Sequence, residues 1–340
     1  MKHRFLTLAI CASLPACGCS GGDGEAYVKT AFIMGVPAQV KVYTADRPAA
    51  EKLAADILKE WDRIAKEFSY SEPYSYTAFL NKKAFTEWVK LDEELYSLLQ
   101  TSMEYYHLTD GAFDVTFAPL WPVWKEAAAS KKMPAKEDIR RALAGIGSSH
   151  IRIDHARRMA RFDAPVQVNL GGILRGYCFI RAHQMLKERA GEIPWPVELQ
   201  LGGNMMTYGS RDWSYDVVNP FDEDKVLGRF RFGKGVVLAS SGRAHFVQIE
   251  GKLYSHILDL KTGYPLPDFS NFVVYYPSIE DENFIPSAVL SLMGREKAFA
   301  TLDKMKGSAG VWIDGAGSLH VRVKEDSEAR WEKARCLFCF

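Results

Sequence analysis

Two adjacent glycines set the sharpest constraint in this chain. Gly171 and Gly172 separate a short β-branched run, Val166-Gln167-Val168, from Phe179–Lys187, where apolar residues recur at helical spacing. The pattern predicts a strand, a tight turn and a helix in succession, with Arg175 in the first helical turn. Glycine lets a backbone approach a ligand closely, and the unpaired N–H groups at a helix start favour an anion. A guanidinium in that turn is suited to a phosphate. Read alone, Gly171-Gly172 serves equally well as a plain tight turn, so its purpose depends on what surrounds it.

The surrounding pattern is that of an α+β protein. Tyr27–Tyr43 alternates and predicts a hairpin turning at Met34-Gly35-Val36-Pro37. Ala49–Phe68 predicts an amphipathic helix with Leu53, Ile57, Leu58, Trp61 and Ile64 on one face. Phe68–Asn81, polar and aromatic, predicts a loop, and Trp88–Leu91 a short strand. Asp92 is placed to cap a helix running to Leu108. Thr109–Leu120 reads as a loop, Lys136–Ile146 as a short helix and Ile151–Phe162 as a hairpin. Beyond the glycines, strands are predicted at Val197–Leu201, Trp213–Val218, Phe230–Phe232, Val236–Ala239, Phe246–Ile249, Leu253–Leu258 and Phe272–Tyr276. Ile285–Asp303 reads as largely helical, and Gly310–Ile313 with Leu319–Val323 as a final hairpin. Helices interleaved with hairpins predict mixed or antiparallel sheets with flanking helices, not a doubly wound parallel sheet. No internal repeat appears, and no linker divides residues 27–340, which are read as one domain.

The N-terminus points to export. Lys2, His3 and Arg4 precede the mostly apolar Phe5–Leu14, a stretch too short to span a membrane. Residues 1–19 therefore read as a signal peptide, and Leu14-Pro15-Ala16-Cys17 resembles a bacterial lipobox. That resemblance implies lipid on Cys17, with Cys19 the alternative acceptor, and a membrane-anchored protein at the periplasmic or outer cell surface. Residues 20–26 then form a flexible tether. A net charge of +1 gives no footprint for nucleic acid. Cys336 and Cys339 are spaced for a disulfide in an oxidising compartment, or are incidental, and two cysteines are too few for a closed zinc site.

Further motifs arrive in a fixed order. They are Met34-Gly35, then Ser69, Ser75 and Asn81, then Thr109-Asp110-Gly111-Ala112-Phe113-Asp114-Val115-Thr116. Asn169–Tyr177, Gly202-Gly203-Asn204, Trp213 with Asn219-Pro220, and Ser240-Ser241-Gly242 follow, and Tyr254–Pro265 closes the set with His256-Ile257-Leu258-Asp259 and Thr262-Gly263. From about Met34 to near its end, the chain resembles the ApbE flavin transferases, or FAD:protein FMN transferases. The resemblance implies an enzyme that moves FMN from FAD to a Thr or Ser of a target protein and releases AMP, with Mg²⁺ at the pyrophosphate. It implies that Met34, Ala112, Phe113, Asp114, Asn169, Arg175, His256 and Ile257 contact FAD. His256 is the implied catalytic acid/base or phosphate contact, and the Gly172 carbonyl an implied metal ligand. The implied partner is an acceptor protein with a flavinylation motif, a membrane redox subunit. Taken singly, Phe113 reads as core, Asp114 as a turn residue capped on Thr116, and His256 as a structural histidine.

The chain departs from the family at several acidic positions. Asn169 stands for the usual Asp, Arg175 for Lys, and Ile180 for a further Asp. The family's late helix carries Asp-Ala-Leu-x-Thr, whose oxygens bind the metal. Matching on Gly294 puts Phe284 and Ala288 at those two positions, whereas matching on small residues puts Ser287 and Ser291 there. Neutral hydroxyls are poor substitutes for a carboxylate on a hard cation, but Asp281 and Glu282 lie just upstream, placed to reach in. Two expectations follow: an active transferase with a rearranged Mg²⁺ site, or a flavin-binding relative without the chemistry.

Overall fold

The computed structural model describes residues 26–242, 246–255, 257–266, 270–280 and 284–334. The expected leader with Cys17 and Cys19, and His256, Asp281, Glu282, Cys336 and Cys339, lie outside the described residues.

The chain opens with a hairpin, β1 (Tyr27–Ile33) and β2 (Val36–Val42), closed by Met34 and Gly35 at φ of 51° and 74°. Helix α1 (Arg47–Glu67) starts where Asp46 accepts from the Ala49 N–H. Then come α2 (Tyr76–Lys83), β3 (Val89–Lys90), α3 (Glu93–Leu108), α4 (Leu120–Ser130) and α5 (Lys136–Leu143). A hairpin, β4 (Ile151–Asp154) and β5 (Met159–Phe162), precedes a single 3-10 turn at Leu170–Gly172 and helix α6 (Leu174–Glu188). Next are β6 (Val197–Leu201), β7 (Asn204–Tyr208), β8 (Trp213–Asn219), β9 (Asp222–Phe232) and β10 (Gly235–Ser241). They are followed by β11 (Phe246–Ile249), β12 (Lys252–Ser255) and β13 (Asn271–Tyr276). The chain closes with α7 (Ser287–Ser291), α8 (Arg295–Leu302), β14 (Ala309–Ile313), β15 (Leu319–Val323) and β16 (Arg330–Lys333).

Eight strands form one antiparallel sheet in the order β1-β2-β6-β7-β10-β13-β14-β15. Strand side chains alternate between faces, and here both faces are covered. Val236, Leu238, Phe272, Val274 and Trp312 join the larger core with α1, α3 and α6. Val237, Val273, Tyr275, Val311 and Ile313 point the other way, against Trp213, Phe230 and Phe232 of the β16-β9-β8 sheet. This double burial is why all six residues of β13 are buried, a pattern more usual in parallel sheets. A third core joins Leu120 and Trp124 of α4 to Ile139 of α5, Ile249 and Leu258. Polar groups tie the helical layer together: Arg63 of α1 bonds both Glu60 and Glu94, and Tyr177 of α6 donates to Glu94 at 2.5 Å.

The α+β expectation holds, with local corrections. Phe68–Asn81 is not loop throughout, because its second half is α2. Ser75 caps that helix by accepting from the Ala78 N–H, and buried Thr77 and Leu80 anchor it. Val166–Val168 is not a strand. Its partner is a side chain: Asn81 donates to the Val168 carbonyl at 2.9 Å and accepts from the Val168 N–H at 2.7 Å. Ile285–Asp303 breaks into α7 and α8 at Gly294, which sits at φ 78°. The strand predicted to reach Leu258 ends at Ser255, leaving Leu258 in an isolated bridge to Pro265. β7, β16 and α4 went unpredicted.

The Asn81 clamp is testable. Asn81→Ala removes both hydrogen bonds and is expected to lower unfolding free energy by about 1–3 kcal/mol, read from denaturant melts. An unchanged midpoint would show that the extended 166–168 segment is held by other means.

Candidate functional site

The two glycine turns and β10 meet at one end of the large sheet. There β1 turns into β2 through Met34-Gly35, β6 turns into β7 through Gly202-Gly203, and the Asn204 side chain accepts from the Ala239 N–H. Beside Ala239, Ser240 faces a cavity of about 340 Å³. Its wall draws on five stretches: Ala112, Phe113, Asp114, Phe117 and Trp121; Asn169, Gly171 and Gly172; Ser240; Ile257, Leu258 and Leu260; and Ala288 and Leu292. The wall is mostly apolar, with a few polar groups at its edge, as small-molecule sites usually are.

Local sequence explains each wall. The 109–117 loop is held from below: the Thr109 hydroxyl accepts from the Phe113 N–H, and Phe113 packs edge-on to Tyr105. Asp114 is 5% exposed and its carboxylate is almost saturated. Its Oδ1 accepts from the Thr116 N–H, the Thr116 hydroxyl and the Ser148 hydroxyl, and its Oδ2 from the Ser148 N–H. The Thr116 hydroxyl in turn accepts from the Gly147 N–H. Such a carboxylate fixes backbone on both sides, which stiffens the wall it belongs to. Asn169 caps the 3-10 turn, its Oδ1 accepting from the Gly171 N–H at 3.0 Å. Gly172 is closely packed: a Cβ there would lie 3.1 Å from the Phe113 ring, so the ring would have to give by a few tenths of an ångström. The Asp259 carboxylate accepts from the Lys261 N–H and the Thr262 hydroxyl and so shapes the turn after Leu258.

Of the residues singled out in the sequence, Ala112, Phe113, Asp114, Asn169, Gly172 and Ile257 line this one cavity. Ser291 stands at its margin, its hydroxyl 3.4 Å from that of Ser240 and donating to the Ala288 carbonyl. Met34, Arg175 and Ser287 lie outside the wall. Met34 is on the same sheet end, three strands from β10, or about 14 Å at the usual strand spacing. Arg175 sits half-buried in the first turn of α6 and makes no hydrogen bond or ion pair among the described residues. Burial, which penalises the charged form, pushes its guanidinium below the ordinary value. Ser287 is buried at the first position of α7.

Among the described residues, the donor set does not fit a divalent cation held by side chains. Mg²⁺ prefers carboxylates together with substrate oxygens. The only carboxylate among the described residues of the wall, that of Asp114, is spent on Thr116 and Ser148, and α7 presents Ala288, flanked by the serine hydroxyls. Among the described residues, no three His, Cys, Asp or Glu side chains group to hold a metal.

A doubly covered antiparallel sheet, with a nucleotide-sized cleft where its end meets a Gly-Gly turn and a helix start, defines an α+β ligand-binding domain. The ApbE family model matches residues 34–312, and the chain belongs to the ApbE family. It is 26% identical over 294 residues to the FAD:protein FMN transferase of Klebsiella pneumoniae (strain 342), covering 86% of this chain and 90% of that protein. With the FAD:protein FMN transferase of Treponema pallidum (strain Nichols) the identity is 24% over 328 residues, covering 87% and 88%. The crystal structure of the ApbE protein from Thermotoga maritima superposes with a TM-score of 0.76 at 25% identity, covering 87% of this chain and 97% of that one. Apo flavinyl transferase ApbE of Pseudomonas stutzeri gives 0.67 at 20%, covering 91% and 94%.

Sequence reasoning missed Phe117, Trp121, Leu292 and the support given by Ser148. Phe117 lies in the loop before α4 and Trp121 in its first turn, beyond the last predicted loop residue, and only the folded chain brings both to the cavity. Nothing in the sequence pairs Ser148 with Asp114, 34 residues earlier.

Ser148→Ala is expected to cost about 1–3 kcal/mol of stability, since it strips a bond from a buried carboxylate. Asp114→Ala is expected to cost at least as much and to weaken ligand binding. Thermal melts beside ligand titrations separate the two effects, and a fully stable Ser148→Ala would remove Asp114 from its supporting role.

Proposed function

We propose that this chain is an FAD:protein FMN transferase, taking FMN from FAD onto a Thr or Ser hydroxyl of an acceptor protein and releasing AMP. The observation that carries this conclusion is the convergence of separate family motifs, at 112–114, 169–172, 240 and 257–260, on one cavity. The names of the related proteins support it.

The chemistry is one displacement. The acceptor oxygen attacks the FMN phosphorus of FAD, and a new P–O bond forms. The bond from that phosphorus to the bridging oxygen breaks, AMP leaves with that oxygen, and the hydroxyl proton passes to a base. There is little covalent work for the protein, so positioning and charge stabilisation dominate. The apolar wall holds a ring system and excludes water from it. Asn169 and Ser240 offer hydrogen-bonding groups at the edge, and Arg175, one turn beyond Gly172, supplies a cation for a phosphate. His256 takes the base's part on the strength of the family motif alone. Mg²⁺ enters no step here. FAD binding in this chain is read as independent of a protein-held ion, because the described carboxylate of the wall, Asp114, is spent on Thr116 and Ser148 and the other described donors there are neutral.

Cell placement belongs to the same proposal. The leader supports export, lipid on Cys17 or Cys19, and an acceptor among membrane redox subunits. No helix among the described residues is long and apolar enough to cross a membrane. The same neutral donor set favours a second reading, a flavin-binding lipoprotein that has lost the transfer step.

Incubation with FAD and an acceptor domain tests both. The expected result is a covalent FMN adduct by mass spectrometry with an equal amount of AMP. FAD affinity is expected to change by less than about twofold between added Mg²⁺ and chelator, well under 1 kcal/mol. FAD binding without adduct selects the second reading. Affinity that collapses with chelator shows that a metal site is built after all, and absence of flavin binding rejects both readings.

A further inference from the structure

One residue in the cavity wall has no structural reason for its position. Trp121 is 44% exposed, although it is the second residue of α4 and Leu120 and Trp124 of the same helix are deeply packed. Leu120 and Trp124 are 0% and 5% exposed and fill the core shared with Ile139 and Ile249. The indole of Trp124 donates to the Gly263 carbonyl. One residue along a helix is a rotation of about 100°, and that step takes Trp121 off the buried stripe and onto the cavity. Its indole N–H has no hydrogen-bond partner among the described residues, and its ring pairs with no other aromatic ring there. Phe117, four residues earlier and half-buried, lines the same cavity.

Single exposed apolar side chains are ordinary on protein surfaces. Trp121 differs because it borders a ligand-sized space that it shares with the rings of Phe113 and Phe117, with Leu258, Leu260 and Leu292, and with the polar groups of Asn169 and Ser240. A large exposed π-face beside such a space matches a planar ring better than it matches a sugar or a phosphate. Aromatic platforms hold flat heterocycles by stacking, with little demand on hydrogen-bond pattern.

We propose that Trp121, backed by Phe117, is a stacking platform for one of the two planar ring systems of bound FAD, and so a specificity residue for the dinucleotide. This rests on the FAD reading given above. Stacking is the chemistry common to the isoalloxazine and the adenine, and the two are separated by experiment. Trp121 is a binding residue in this scheme and takes no part in proton transfer.

The test titrates FAD, FMN and AMP into the wild-type chain and into Trp121→Ala, Trp121→Phe and Trp121→Leu, with thermal melts of each. The side chain is exposed, so all four proteins are expected to melt alike. Trp121→Ala is expected to raise the FAD Kd by about tenfold or more, the usual scale for losing one stacked ring. It is expected to weaken FMN or AMP, whichever carries the stacked ring, and to leave the other unchanged. Trp121→Phe is expected to restore most of the affinity and Trp121→Leu little of it. An unchanged FAD Kd in Trp121→Ala overturns the proposal. So does equal rescue by Leu and Phe, which would make the wall merely apolar, and so does an equal loss for FMN and AMP. A wild-type chain that binds no FAD overturns the functional reading itself, whereas FAD binding indifferent to Trp121 overturns only this inference.

Discussion

Burial of the eight-stranded sheet on both faces is the constraint on which the rest of the molecule depends. One face carries α1, α3 and α6, and the other carries the β16-β9-β8 sheet. With both faces closed to ligands, only the strand ends remain, and there the turns can be short and specialised. The Gly202-Gly203 turn, the end of β10 and the Gly171-Gly172 turn gather at one such end. Glycine at 172 lets the turn pack tightly on the Phe113 ring, which an added Cβ would crowd. The site is thus a consequence of the layering: a cleft between a rigid sheet end and loops that the third small core holds in place.

Much of this was legible in the chain, and the misses have physical causes. Regular periodicity revealed α1, α3 and most strands, because their buried residues fall on one face or in strict alternation. Asp92 was readable as a cap because its partner, the Leu95 N–H, is three residues away. Val166–Val168 misled because β-branched composition reports an extended backbone and not a strand partner, and Asn81 supplies the pairing from 87 residues away. α2 was hidden by its aromatic, polar composition, since its stability comes from the Ser75 cap and from Thr77 and Leu80 reaching the core. Long-range polar knots such as Arg63 with Glu94, or Asp114 with Ser148, leave no local pattern.

At the site, ordered motifs located most of the cavity wall, and the same motifs directed attention away from what is particular to this chain. The neutral character of α7, with Ala288 in the wall and serines beside it, could be anticipated from the missing Asp and Thr. The aromatic pair Phe117 and Trp121 could not, because an exposed tryptophan at a helix start acquires meaning only when the opposite wall is known.

The cavity wall is assembled from residues as far apart in the chain as Ala112 and Leu292. No short fragment of the protein carries the whole of it. Whatever fills that space therefore binds only the fully folded molecule, and its binding free energy adds to the stability of every layer at once. In a cell, the supply of ligand would then govern how long each copy of the protein survives proteolysis, as well as how fast it works.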